Sequence, residues 1–269
     1  MSNKGIYTAL SGAIAQNQRL DTIANNIANT NTTGFKKDEQ VFYEYLTANE
    51  KGSDIIRAPR VPASIESFYE MNGGDRGYVD SKGTYTDHSQ GLLKETGNTL
   101  DVALEGKGFL EVLAPDGVRF TRNGALKIDG QGRLVTKEGF PVLRSGIGQP
   151  PEQRVLVPNG RNVTISNNGE IYSGTDSIGF MSIVNAGNMD ALQKVGSSLY
   201  KVKPNLDPQL AVAEDVKVRQ GFLEGSNVNV VDEMTKMIAT TRTFESTQKA
   251  IQAFDNMNNK LINVVGKTN

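Results

Sequence analysis

The sequence predicts an α+β protein, with a mainly antiparallel β central domain between long N- and C-terminal α-helices. Two observations carry this. Proline first occurs at Pro59 and last at Pro208, and 23 of the 28 glycines lie between Gly73 and Gly225. From Ser226 to Val265 there is neither. Helix breakers therefore mark out a turn-rich middle and leave both ends free to form long helices. The second observation is a change of period, from helical spacing at the ends to short alternating runs in the middle.

At the N-terminal end Ile6, Leu10, Ala13, Asn17, Leu20, Ala24 and Ile27 recur at alternating intervals of 4 and 3. Asparagine crowds the end of this helix at Asn25, Asn26, Asn29 and Asn31, although its carboxamide competes for backbone hydrogen bonds and weakens helices. Gly34 is the expected stop, as a left-handed cap, and Phe35 the expected anchor against a partner helix. Residues 35–83 form a mixed connecting segment, in which Val41–Leu46 is strand or helical turn and Met71–Gly77 a mobile loop.

The middle reads as hairpins. Leu110–Leu113 and Val118–Thr121 flank Ala114-Pro115-Asp116-Gly117, and Leu126–Ile128 and Leu134–Thr136 flank Asp129-Gly130-Gln131-Gly132. Val163–Ile165 and Glu170–Tyr172 flank Ser166-Asn167-Asn168-Gly169. Asp-Gly and Asn-Gly between short apolar runs are strong hairpin signals, because these residues adopt the positive φ that tight turns need. The organisation is thus a first helix over 1–34, the connecting segment, a β domain over 84–222 and a last helix over 223–269.

In that last segment Met237, Thr240, Phe244, Thr247, Ile251, Phe254, Asn258, Leu261 and Val265 again alternate 3 and 4. Asn229 suits an N-cap, with Asp232 and Glu233 in the first turn and Lys260 and Gly266 near the end. Both stripes average 3.5 residues, the seam of a left-handed coiled coil. They are also compatible with two amphipathic helices docked on the central core. The stripes are thin, however, since alanine, threonine and asparagine bury little area, and such helices need neighbours on several sides.

Composition narrows the function. The 29 basic and 30 acidic residues nearly cancel, which argues against a nucleic-acid surface. With no cysteine there is no disulfide framework or thiolate metal site, and one histidine cannot form a His cluster. No Sec-type signal and no membrane-spanning run is expected. His88, between Asp87 and Ser89, reads as a surface-loop residue, because adjacency in sequence does not make a triad. Gly106-Lys107-Gly108 and Gly146-Ile147-Gly148 are too short to cradle phosphate. Ser198-Leu199-Tyr200-Lys201 matches Ser-x-x-Lys with no partner motif, and the sequons at Asn31 and Asn162 have low specificity. No catalytic, cofactor-binding or metal residue is predicted.

Three blocks resemble one family. Gly5–Lys37 is similar to the N-terminal signature of bacterial flagellar rod and hook proteins, through Ala24-Asn25-Asn26-Ile27-Ala28-Asn29 and Thr33-Gly34-Phe35-Lys36. Thr96–Leu104, Gly106–Phe109 and Phe120–Gly124 are similar to its β domain. Leu223–Val228, leading to Met234, Ile238, Arg242, Phe244-Glu245 and Lys249, is similar to its C-terminal end. Gly5–Gly12 and Thr86–Gly91 resemble the proximal-rod member more than the distal one, and a hook subunit would carry an inserted domain for which there is little room.

The resemblance implies that the terminal helices pair as a coiled coil and stack with those of neighbours into a tube enclosing an export channel. The implied packing residues are Ile6, Leu10, Leu20, Ala24, Asn25, Asn26, Ile27, Asn29, Gly34, Phe35, Met237, Phe244, Ile251, Phe254, Leu261 and Val265. Carboxamides suit such a lattice, since charges repeated on every subunit would repel. The implied partners are other rod proteins, copies of the chain, the surrounding basal-body rings and the flagellar type III export apparatus. Neither cofactor nor enzyme activity is implied, and the implied location is the rod in the periplasmic space, reached without a cleaved signal peptide. A distal-rod or hook subunit is the nearest alternative, and a periplasmic glycan hydrolase using paired carboxylates is the alternative from another class.

Overall fold

The computed structural model describes residues 4–46, 77–146, 149–158, 163–213 and 215–265. It is mixed α+β with antiparallel strands. Helix α1 spans Lys4–Ala28. It ends without glycine or proline because local side chains capture its last carbonyls: the Thr30 hydroxyl donates to the Ile27 carbonyl at 2.8 Å, and the Asn29 and Thr30 N–H groups close tight turns onto Asn26 and Ile27. The C-terminal helix, α2, spans Val230–Val265 and starts directly after Asn229, with Asp232 and Glu233 in its first turn. Acidic side chains there complement the positive end of the helix dipole.

The chain forms two compact units. One comprises α1 up to Asn25, the segment from Asp38 to Tyr85, and α2 from Val231. Its strands β1 (Asp38–Leu46) and β2 (Gly77–Thr86) form a two-stranded sheet, so the Val41–Leu46 stretch is strand. The Met71–Gly77 segment lies outside the described residues up to Arg76. Within this unit Gln40 on β1 donates to Gln18 on α1 at 3.2 Å, and Arg19 lies 6.0 Å from the Phe42 ring.

The other unit comprises residues 26–37 and 86–230. Its strands are β3 (Leu93–Glu95), β4 (Val102–Glu105), β5 (Phe109–Ala114), β6 (Gly117–Thr121), β7 (Leu126–Ile128), β8 (Leu134–Thr136), β9 (Val163–Ile165) and β10 (Glu170–Ser173). There follow β11 (Asp176–Phe180), β12 (Ile183–Ala186), β13 (Leu192–Gly196), β14 (Leu199–Val202), β15 (Leu210–Val212), β16 (Lys217–Gln220) and β17 (Phe222–Glu224). The three hairpins expected from turn residues form at β5–β6, β7–β8 and β9–β10, with Ala114 opposite Gly117, Ile128 opposite Leu134 and Ile165 opposite Ile171.

The largest sheet runs β13-β14-β6-β5-β12-β15. Because side chains alternate across a strand, β5 serves two apolar clusters. Leu110 and Val112 join the larger one with Leu134, Leu156, Ile171 and Val218, and Phe109 joins Phe120, Val184 and Tyr200 in the second. Two small sheets, β16-β4 and β17-β3, join the last strands of this unit to its first. They bring residues preceding α2 beside residues that follow the connecting segment.

Candidate functional site

The residues after α1 and those before α2 meet on the β domain. Gly34 makes this possible. Its φ is 67°, and its N–H donates to the Glu224 carbonyl at 2.8 Å. An added Cβ would lie 2.5 Å from the Arg122 carbonyl carbon and 2.6 Å from the Asn123 nitrogen. Gly34 therefore has the left-handed backbone expected of it but is not the helix cap, since α1 has already ended at Ala28. It lets the chain lie flat against the Arg122–Asn123 backbone. Phe35, expected against a helix, is buried with the Lys194 ammonium 4.3 Å from its ring centroid.

Beyond Phe35 lies a buried ionic cluster. The side chains of Lys36 and Glu224 are both 0 % exposed, and Lys36 Nζ donates to Glu224 Oε1 at 2.6 Å and to the Ser89 carbonyl at 2.6 Å. Glu224 Oε1 also accepts the Gly91 N–H at 2.9 Å, and its Oε2 accepts Arg122 Nη1 at 3.2 Å. Arg122 Nη2 donates in turn to the Gly106 carbonyl at 2.6 Å, with the guanidinium 5.4 Å from the Phe109 ring centroid. Burial pushes the Lys36 ammonium down from its ordinary pKa, and the Glu224 carboxylate is the main force holding it up.

A second clasp sits alongside. Asn227 Oδ1 accepts the Lys37 N–H at 2.7 Å, while its Nδ2 donates to the Asp87 carbonyl at 2.9 Å and to Ser89 Oγ at 3.0 Å. Gly91 and Gly225 approach so closely that a Cβ on Gly91 would be 2.1 Å from the Gly225 oxygen. Ser198, of the Ser-x-x-Lys match, donates to the Thr33 carbonyl at 3.2 Å and so has a structural partner.

His88 is a correction. It is half-buried, not a surface residue, with its ring 5.7 Å from Phe109 and 5.6 Å from Tyr200. Its Nδ1 is buried with no hydrogen-bond partner. Burial, then the nearby charges of Lys36, Lys194 and Arg122, push its pKa down to about 4. It is therefore neutral at pH 7 and lacks the acid–base poise of a catalytic histidine. The described residues hold no group of three or more His, Asp or Glu that could bind a metal ion, and no described helix is long and apolar enough to cross a membrane.

The packing residues expected on the helices are spread over several environments. On α1, Ile6, Leu20 and Ile27 are half-buried, Leu10, Ala24 and Asn25 are exposed, and Asn26 is buried; Asn29, just past the helix, is half-buried. On α2, Met237, Phe244 and Ile251 are half-buried around buried Thr240, and Phe254 is at the surface. Leu261 and Val265 belong to α2, but their side chains lie outside the described residues. The same helices expose a second set. Tyr7, Leu10 and Ile14 on α1 are 57 %, 45 % and 53 % exposed, and Val231, Met234 and Ile238 on α2 are 71 %, 52 % and 56 % exposed. Each trio has spacing i, i+3, i+7, one helix face. Of these six only Leu10 is among the packing residues expected from sequence; Tyr7, Ile14, Val231, Met234 and Ile238 are not. Their signal is a second 3–4 stripe running beside the first.

Three family models match in chain order. Residues 6–36 match "Flagella basal body rod protein", residues 103–173 match "Flagellar hook protein FlgE/F/G D1 domain", and residues 219–264 match "Flagellar basal body rod FlgEFG protein C-terminal". Among similar curated proteins, the flagellar basal-body rod protein FlgG of Borreliella burgdorferi is 35 % identical over 94 % of this chain and 96 % of its own. The FlgG of Bacillus subtilis is 32 % identical over 97 % and 98 %. The rod protein FlgF of Caulobacter vibrioides is 31 % identical over 99 % and 100 %.

Proposed function

The chain belongs to the flagellar basal-body rod FlgE/F/G family, and from that premise we propose that it is a structural subunit of the proximal rod. Its terminal helices pair as a coiled coil and pack with those of neighbouring copies and other rod proteins into a tube, with the β domain outside. Such a tube transmits torque through packing between subunits and encloses the export channel. A heterologous contact that does not close into a ring builds a helical filament of this kind. The subunit reaches the periplasmic rod through the flagellar type III apparatus and sits within the basal-body rings.

The observation that supports this reading best is the pair of exposed apolar faces, Tyr7-Leu10-Ile14 and Val231-Met234-Ile238, on the elements whose sequence matches the rod models. The glycan-hydrolase alternative has less to work with. Among the described residues the buried carboxylates are all engaged, Glu111, Glu224 and Glu233 by an arginine or lysine and Asp101 by the Thr96 hydroxyl and the Asn98 amide. The proximal position rests on Gly5–Gly12 and Thr86–Gly91, while relatives bear both the FlgG and the FlgF name.

The test is Leu10→Glu and Ile238→Glu in cells, each placing a charge on an exposed face. Both are expected to yield a β domain with unchanged melting, no rods and no motility, since an unpaired charge would be buried at every repeat. On the half-buried side, Ile251→Asp is expected to block assembly and Lys249→Ala to leave it intact. Normal swimming of Leu10→Glu and Ile238→Glu overturns the proposal, as does hydrolysis of cell-wall glycan by the purified chain. Imaging of labelled copies along the rod decides proximal against distal.

A further inference from the structure

We infer that Glu224 is an electrostatic latch: one carboxylate from the segment before α2 on which the segment after α1 closes, so that residues 32–37 seat on the β domain only when β17 is already in place. The latch is a property of the single folded chain and does not depend on the rod reading.

The geometry is unusually one-sided. Lys36 and Glu224 are separated by 188 residues in sequence. Glu224 is used four times over, by Lys36 Nζ, by the Gly91 N–H, by Arg122 Nη1 and, through its backbone carbonyl, by the Gly34 N–H. Remove β17 and two cations, Lys36 and Arg122, would face each other at the centre of a site from which water is excluded. The Ser89 carbonyl would still accept from Lys36, and the Leu104 and Gly106 carbonyls from Arg122. None of them carries the charge needed to neutralise a buried ammonium. Burying an ion without its counter-charge is far more costly than leaving it in water, so the N-terminal segment stays undocked. The neighbouring carboxylate, Asp87, is partly exposed and pairs with Lys37 at 3.3 Å.

A consequence follows from chain direction. Any chain synthesised or threaded N-terminus first presents Lys36 long before Glu224. Lys36 then lacks its counter-charge until nearly the whole β domain has emerged. The latch thus ties the seating of the early segment to the arrival of the late one.

Hydrogen exchange on the full-length chain tests this with a four-member cycle: wild type, Glu224→Gln, Lys36→Met and the double variant. Glutamine keeps the shape of Glu224 and an acceptor for Gly91 and Lys36, removes the charge, and turns an amide NH2 towards Arg122 in place of the second oxygen. Glu224→Gln is expected to speed exchange across residues 29–37 at least tenfold while β5 and β6 stay protected. In the Lys36→Met background the same change is expected to have an effect at least fivefold smaller, because only Arg122, which keeps the Leu104 and Gly106 carbonyls, then loses the carboxylate. Global unfolding by Glu224→Gln that Lys36→Met rescues supports the latch equally. An equal effect of Glu224→Gln in both backgrounds, unfolding in both included, would mean that Glu224 acts through Arg122 or packing and not through Lys36, and overturns it. So would wild-type protection of residues 29–37 in Glu224→Gln.

Discussion

Gly34→Ala separates two costs that glycine normally hides together. At φ 67° an alanine pays the left-handed penalty, roughly 1–2 kcal/mol. Its Cβ would also lie 2.5 Å from the Arg122 carbonyl carbon, 2.6 Å from the Asn123 nitrogen and 2.8 Å from the Arg122 oxygen, all backbone atoms that have no rotamer to move to. Forcing material into such a contact adds about 1–3 kcal/mol. The sum is roughly 2–5 kcal/mol. Two other glycines calibrate it. Gly97 has nearly the same φ, 70°, with nothing within 4 Å of its virtual Cβ, so Gly97→Ala isolates the backbone penalty. Gly130 has open space and no positive φ, so Gly130→Ala is expected to be neutral within about 0.5 kcal/mol. The assay is thermal melting together with hydrogen exchange at residues 29–37. If the segment melts with the β domain, the midpoint for Gly34→Ala falls by roughly 4–20 °C, at about 2–4 °C per kcal/mol for a unit of this size. If it undocks alone, exchange rises there and the midpoint holds. Gly34→Ala no worse than Gly97→Ala in both readouts refutes the close approach to Arg122 and Asn123.

His88 makes folding acid-sensitive in a defined window. Its folded pKa of about 4 lies below the ordinary 6.5, so the unfolded chain binds the proton more readily and stability falls as pH drops from 6.5 towards 4. The full shift corresponds to about 3 kcal/mol, reduced to roughly 1–2 by the ring's partial access to solvent. His88→Phe, which keeps the contact with Phe109 and Tyr200, is expected to flatten the melting profile over that range, and an unchanged slope counts against the assignment. Glu111 is buried, accepting from the Ser182 hydroxyl at 2.7 Å and paired with Arg154. Glu111→Ala strands the arginine and is expected to cost about 3–5 kcal/mol in denaturant unfolding. Glu105→Ala, at the exposed pair with Arg219, should leave the unfolding curve in place.

The two helices and the β5–β6, β7–β8 and β9–β10 hairpins were legible in the sequence, because each depends on residues within a few positions of one another. Asp-Gly and Asn-Gly set a turn wherever the flanking strands later pack, and a stretch without proline and with little glycine can run as helix wherever its stripe later finds neighbours. Val41–Leu46 stayed ambiguous because its strand pairing depends on β2, some forty residues further along the chain. The remaining features are decided by residues far apart in sequence. Gly34 reads as a helix stop until the Arg122–Asn123 backbone is seen against it, and His88 as a loop residue until Phe109 and Tyr200 enclose it. Lys36, Arg122 and Glu224 each look like ordinary surface charges, since nothing local says that a lysine will be buried. Only the tertiary structure places them together, and burial then makes one carboxylate necessary to two cations. Electrostatic energy depends on distance and on exclusion of water, and neither is a property of the local sequence.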